Sequence, residues 1–172
     1  TSYTAGFNLI GEQTASQAIA LLEDFHSPSQ NLILADTEQI AMKTIGVMPL
    51  RAASHQTQGG MPSLGWRTEN RWKGRIDYAK NPEFINPDGG ILGNTNNKVS
   101  SGEFPEHMSF DWGDSQRIQR WKRLMQGRKV HTRESFIEAQ LDTVSFTARA
   151  LLPLIGSDLW FTSQSAPQGT LA

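Results

Sequence analysis

Apolar residues recur at 18, 19, 21, 22 and 25 in "TASQAIALLEDFH" (14–26), the spacing of one buried helical stripe, with Thr14 or Ser16 available to cap the first turn. "SPS" interrupts that pattern. "QNLILAD" (30–36) is an apolar run of strand length, and "QIAMKTIG" (39–46) alternates behind the turn "DTEQ", so the two predict a β-hairpin. From Met48 to Trp112 the periodicity fades. "GGMPSLGWRTENRWKG", "NPEFINPDGG" and "NKVSSGEFPEH" are rich in Gly, Pro and Asn, with Trp66, Trp72, Tyr78 and Phe84 scattered among them. The two indoles are expected to pack these loops, given the apolar area each can bury.

Helical spacing then returns. Asp114 can cap "SQRIQRWKRLMQGR", where Ile118, Trp121, Leu124 and Met125 form the stripe. "GRKVH" turns the chain, and Thr132 caps a helix over "RESFIEAQLDTVSFTARALL". Phe136, Ile137, Leu141, Val144, Ala148, Leu151 and Leu152 share one face of it, and Pro153 ends it. The pattern is α+β. It predicts a single segment over 1–172, with a helix plus hairpin over 14–46, irregular loops over 47–112, a helical pair over 113–155 and a tail over 156–172. Some sixty residues of mostly irregular chain inside one domain is uncommon, and a hairpin needs further strands or a helix to be stable. Both features point to a piece of something larger.

Composition narrows the chemistry mainly by exclusion. A formal charge of −1 gives no overall attraction to nucleic acid or anionic membrane. No apolar run reaches the length needed to cross a bilayer, and the amino end lacks the basic-then-apolar layout of an export signal. With no cysteine there is no disulfide, thiolate nucleophile or thiolate-bound metal. His26, His55, His107 and His131 are far apart and carry no ligand spacing, so they are expected as ordinary surface or capping residues. No phosphate loop, GxSxG elbow or internal repeat is present.

One stretch is chemically pointed. "NPDGGILGNTNNK" (86–98) gathers four asparagines and three glycines in thirteen positions. Asparagine serves tight turns, and its amide is also a donor that cannot lose its charge-stabilising capacity by ionising. On residue type alone both readings stand.

The order of "QNLILAD", "GVMPLR", a Pro/Gly segment ending "RWKG", "FINPDGGILGNTNN" and "RIQRWKRLM" resembles the β-chain of the penicillin acylases (penicillin amidases), which are N-terminal nucleophile hydrolases. The similarity runs from about Ala18 to Ile155 and is most specific in the pattern NP-x-x-G-I-x-x-N-x-NN, followed about twenty residues later by an arginine opening a helix. The resemblance implies a fragment of a four-layer αββα sandwich. It also implies a self-cleaving precursor whose newly exposed amino-terminal serine attacks a linear amide, with its own α-amine as base. That serine would stand upstream of this segment, and Thr1, placed before a mid-chain helix, would not be the nucleophile. The implied partners are the α-chain, the rest of the β-chain and a small-molecule amide substrate; the implied compartment of the parent is the periplasm.

Carried over residue by residue, Asn96 matches the family's oxyanion-hole asparagine. Arg117 matches the arginine that organises that asparagine and the nucleophile, with Arg120 as a possible substitute because the link after "FP" (104–105) looks short. Asn86, Pro87, Gly90 and Gly93 are expected to make the turn and close backbone approach that place Asn96. Asn97, more than Asn94, is expected to help hold the site. Pro49 and Arg51 read as structural. Members of the family often bind calcium, but the carboxylate expected after the motif falls near His107 or Met108, so no metal or other cofactor is expected.

Two other readings come from the residues themselves. The helix over 114–133 is locally basic, with Arg117, Arg120, Lys122, Arg123, Arg128, Lys129 and Arg133 around Trp121. That is the layout of a nucleic-acid-binding module, although the near-neutral chain argues for a solvated face and against a nucleic-acid partner. Alternatively the segment is non-catalytic and only shapes a pocket. Exposed strand edges would leave the isolated segment open to homodimerisation.

Overall fold

Thr14 opens the first predicted helix with a capping box: its hydroxyl accepts the Gln17 N–H at 3.2 Å and the Gln17 side chain accepts the Thr14 N–H at 3.1 Å. In the computed structural model, which describes residues 1–102 and 107–160, this helix follows one that the sequence pattern did not suggest. That helix, α1, spans Ser2–Asn8, and α2 spans Ala15–Leu21, tightening into a 3-10 turn over Leu22–Asp24.

The expected hairpin follows. Strand β1 (Gln30–Ala35) pairs antiparallel with β2 (Ile40–Ile45), in a register running from Gln30 opposite Ile45 to Ala35 opposite Ile40. Three short strands lie in the stretch expected to be irregular. They are β3 (Pro49–Arg51), β4 (Trp72–Arg75) and β5 (Glu83–Ile85). Strand β5 joins the free edge of β2, completing a three-stranded sheet in the order β1-β2-β5, while β3 and β4 form a separate antiparallel ribbon. Strands of three or four residues carry too little alternation to be recognised; pairing partners far along the chain make them.

The sheet gives β2 the central place, and from Ala41 to Ile45 it is buried. One sheet face carries Leu32, Leu34, Ala41 and Ile45 beneath the helices, packed against Ala5, Leu9, Ala15, Ile19, Leu22 and Phe25. The pattern alternates, so Lys43 falls on this same face. Its ammonium, 2 % exposed, donates to the Asn81 carbonyl at 3.1 Å, pairs with Glu83 Oε2 at 3.3 Å and stands 4.6 Å from the centre of the Tyr78 ring. The paired carboxylate and carbonyl are what make a buried ammonium tolerable. Trp66 and Trp72 do not pack the loops as expected. They are 76 % and 57 % exposed, and Trp72 opens a strand, β4, whose four residues are all exposed.

The chain divides into two compact units, Thr1–Gly113 and Asp114 onward. In the second, α3 spans Gln116–Gln126 and buries Ile118 and Met125 as expected. Ser115, not Asp114, occupies the cap position, although Asp114 Oδ1 still accepts the Gln116 N–H at 3.2 Å. The expected single helix after Thr132 is two helices: α4 (Arg133–Gln140), closed at its start by a Thr132–Ser135 capping box, and α5 (Phe146–Trp160). The break falls in "DTVS". There Asp142 turns its carboxylate to the Val144 N–H at 3.3 Å, and Ser145 Oγ caps α5 through the Ala148 N–H at 3.1 Å. Asp, Thr, Val and Ser are poor interior helix residues, and two of them offer the backbone an alternative partner. Pro153 lies inside α5 rather than at its end, so the first five residues of the expected tail, 156–160, are helical; "FP" at 104–105 and residues 161–172 lie outside the described residues.

Candidate active-site segment

The motif begins where β5 ends. Asn86 extends the β2–β5 ladder by one step, its N–H donating to the Ile40 carbonyl at 3.0 Å and its side-chain Oδ1 accepting the Ile40 N–H at 2.9 Å. Its φ of +42° is tolerated by asparagine far better than by most residues. Pro87 then starts a turn closed by the Gly90 N–H on the Pro87 carbonyl at 2.9 Å. Gly89 and Gly90 hold φ of +88° and +66°, which explains their identity. At Gly90 no close approach is found, since a Cβ there would meet nothing within 4 Å. Gly93 is not among the described glycines with positive φ.

The asparagine cluster holds itself. Asn94 Oδ1 accepts the Asn96 N–H at 2.9 Å, an Asx turn. Asn97 Oδ1 accepts from the Thr95 N–H at 3.1 Å, the Thr95 hydroxyl at 3.3 Å and the Asn94 amide at 3.4 Å, and Asn97 Nδ2 donates to the Lys98 carbonyl. Between these two, Asn96 takes φ +66° and is exposed. Gly113 closes on it from the other side: a Cβ at 113 would lie 3.1 Å from the Asn96 carbonyl oxygen, so only glycine fits easily. The Asn96 N–H is thus held by the Asn94 side chain, while Asn97 ties down Thr95 and Asn94 on the residues before it.

Arg117 belongs to the second unit, exposed in the first turn of α3. Arg120, its possible substitute, is fully engaged. Its Nε and Nη2 hold the two oxygens of Asp142 at 2.9 and 2.5 Å, a fork-to-fork pair that ties α3 to the α4–α5 turn. The guanidinium keeps the Asp142 carboxyl below its ordinary range. Arg128 pairs with Glu138 at 2.6 Å and Arg123 stacks 4.7 Å over the Phe146 ring. Three of the seven basic residues that suggested nucleic-acid binding are thus spent inside the helical unit, which weakens that reading. Among the described residues no three His, Asp or Glu converge on a cation position.

Sequence reasoning did not single out Lys43, Tyr78, Glu83 or Asp36. The first was legible, since the alternation of "QIAMKTIG" puts Lys43 in register with Ala41 and Ile45. Tyr78 donates to the Ile19 carbonyl at 2.9 Å, and burial first, then the Glu83 and Glu23 charges, push its hydroxyl up to about 12. Two hollows in the first unit are lined by other residues: an apolar one of about 540 Å³ between α1 and Pro28, and a polar one of about 310 Å³ around Asp24, His26 and Arg75.

The penicillin amidase family model matches residues 1–172. An acyl-homoserine lactone acylase, QuiP, of Pseudomonas syringae is 26 % identical over 86 % of this chain, and a penicillin G acylase of Escherichia coli is 25 % identical over 93 %. In each case the chain spans only 18 % of the relative's length. The thermostable penicillin G acylase from Alcaligenes faecalis has the same fold over 96 % of this chain and 30 % of its own, at a TM-score of 0.72 and 17 % identity. The chain belongs to the penicillin amidase family.

Proposed function

We propose that this chain is the part of an amide-hydrolysing acylase that supplies the oxyanion donor, Asn96, and a positioning residue, Arg117, to a serine nucleophile lying outside it. The observation that carries the reading is the self-bonded loop around Asn96: Asn94 Oδ1 accepts its N–H, Asn97 Oδ1 holds the preceding Thr95, and Asn96 takes a left-handed backbone with its side chain exposed. When a hydroxyl adds to an amide carbonyl, negative charge grows on the carbonyl oxygen. A donor already in place stabilises that charge without reorganising, and such a donor is worth on the order of 10²–10³ in rate. Ordering the loop before substrate arrives is what this chemistry needs.

Arg117 fits the second role by its cost. A cation in the first turn of a helix opposes the dipole, an arrangement worth keeping where negative charge must be met nearby. Asn86 and Pro87 serve as the stem that ties the loop to the sheet. The family resemblance adds a processed precursor, a periplasmic parent and an acyl amide substrate, and the names of the relatives, penicillin and acyl-homoserine lactone acylases, favour such a substrate.

The test is hydrolysis of an acyl anilide by the 172-residue chain and by the longer acylase polypeptide containing it. Turnover by the longer polypeptide alone is expected. Turnover by the 172-residue chain that disappears on Thr1→Ala would place the nucleophile here and overturn the reading.

A further inference from the structure

We propose that helix α5 is a core helix of the longer acylase polypeptide, enclosed there on at least two sides by apolar elements outside these 172 residues. The inference rests on the reading of this chain as part of a longer acylase. Among the described residues the side-chain anchors of helix α5 lie at its start: Arg123 stacks over Phe146, and the Thr147 hydroxyl donates to the Gln116 side chain on α3. Beyond that anchor Leu151, Leu152, Leu154 and Ile155 are 48 %, 51 %, 74 % and 46 % exposed.

The breadth of this surface identifies its cover. At roughly 100° per residue, Leu154 and Leu152 bracket Leu151 and Ile155 over an arc of about 160°. The stripe by which a surface helix faces one core is typically about 100° or somewhat more, so 160° lies at its broad end. Arg149 lies outside the arc, about 60° beyond Leu152 at the same turn per residue. Pro153 adds to the need for cover, since it removes the N–H that the Arg149 carbonyl would have accepted, and a helix so interrupted depends on packing.

A second copy is the weaker occupant. A two-fold contact presents one patch to itself, and closing on Leu151 and Ile155 would leave Leu152 or Leu154 in water. The longer polypeptide suits the breadth better, because the chain spans 18 % of its curated relatives and leaves about four fifths of each to supply flanking elements.

The absence of cysteine from the chain allows a direct test. Single cysteines are placed at Leu151, Leu152, Leu154 and Ile155, with Lys129→Cys as an exposed reference, and maleimide labelling rates are measured on the dilute 172-residue chain and on the longer polypeptide with its other cysteines replaced. The four positions sample the arc independently, so one variant that fails to fold leaves three. In the 172-residue chain all are expected to label within a few-fold of the reference. In the longer polypeptide all are expected to be on the order of 100-fold slower, reacting only through local opening. Fast labelling of Leu152 or Leu154 in the longer polypeptide would overturn the inference. So would slow labelling in the dilute 172-residue chain, which would mean the chain covers itself, or protection there that rises with concentration, which would identify a second copy. Labelling makes no reference to catalysis, so a longer polypeptide that protects α5 yet hydrolyses no amide would sink the functional reading and leave this one standing.

Discussion

Asn86 and Ile40 bond to each other twice, main chain to main chain at 3.0 Å and main chain to side chain at 2.9 Å, and through this pair the asparagine-rich loop is welded to the central strand of the sheet. Asn86→Ala removes the acceptor for the Ile40 N–H and forces alanine into a left-handed backbone. Together these are expected to cost about 2 kcal/mol in urea unfolding. Asn86→Asp keeps both the acceptor and the tolerance of positive φ and should recover most of the loss. Equal stability of the two variants would show that the side-chain bond holds nothing.

The carboxylate of Asp36 accepts the Ala15 N–H at the start of α2 at 2.8 Å, and also the Glu38 and Gln39 N–H groups at 2.7 and 2.8 Å. These bonds, that of Ala15 first, lower its pKa. A group with a depressed folded pKa contributes stability above the unfolded value of about 4 and loses it as pH falls through the folded one. Asp36→Asn should therefore lower stability at neutral pH and flatten its fall below about pH 4. Urea midpoints between pH 2 and 6 check this; an unchanged acid limb would exclude Asp36 as its source.

At the alkaline end Tyr78 sets the sign. Its pKa is raised from 10.0 to about 12, so the folded state favours the neutral phenol. The contribution is complete below pH 10 and is lost as pH rises from 10 toward about 12. Tyr78→Phe is expected to cost about 1 kcal/mol at neutral pH through the lost bond to Ile19. It should also remove part of the decline between pH 10 and 11, read from urea midpoints. A decline as steep as in the parent chain would contradict this.

Arg120 and Arg117, three residues apart, should be read by different measurements. Arg120→Ala should lower the unfolding midpoint of the helical unit, and Asp142→Ala should add little to it, because the two share one bidentate contact. Arg117→Ala, in the longer polypeptide, should lower kcat with a smaller change in KM. Additive losses for Arg120 and Asp142 would show that their pair contributes nothing to folding.

What the sequence disclosed follows a physical line. The α2 cap, the hairpin and the α3 stripe were legible because each is set within a few residues by capping, turn and periodicity. Strands β3, β4 and β5 were not, since three or four residues become strand only through partners such as Met42 opposite Phe84. The helix over 133–152 was misread because its apolar stripe runs on through Asp142 and Ser145, whose side chains end one helix and begin the next. The loop of the motif was legible as a turn, but the division of labour inside it was not. That Asn94 turns its oxygen to the Asn96 N–H while Asn97 turns its own to Thr95 depends on three-dimensional geometry that composition does not encode.

The central claim is that Asn96 donates to charge that exists only while the amide is being attacked. The most direct test is kcat for acyl-anilide hydrolysis by the longer acylase polypeptide carrying Asn96→Ala, beside its unfolding midpoint. A fall on the order of 10²–10³ in kcat, with KM little changed and the midpoint lowered only by the roughly 1 kcal/mol that alanine pays for a left-handed backbone, is the expected result. A kcat equal to that of the unsubstituted enzyme would contradict the account.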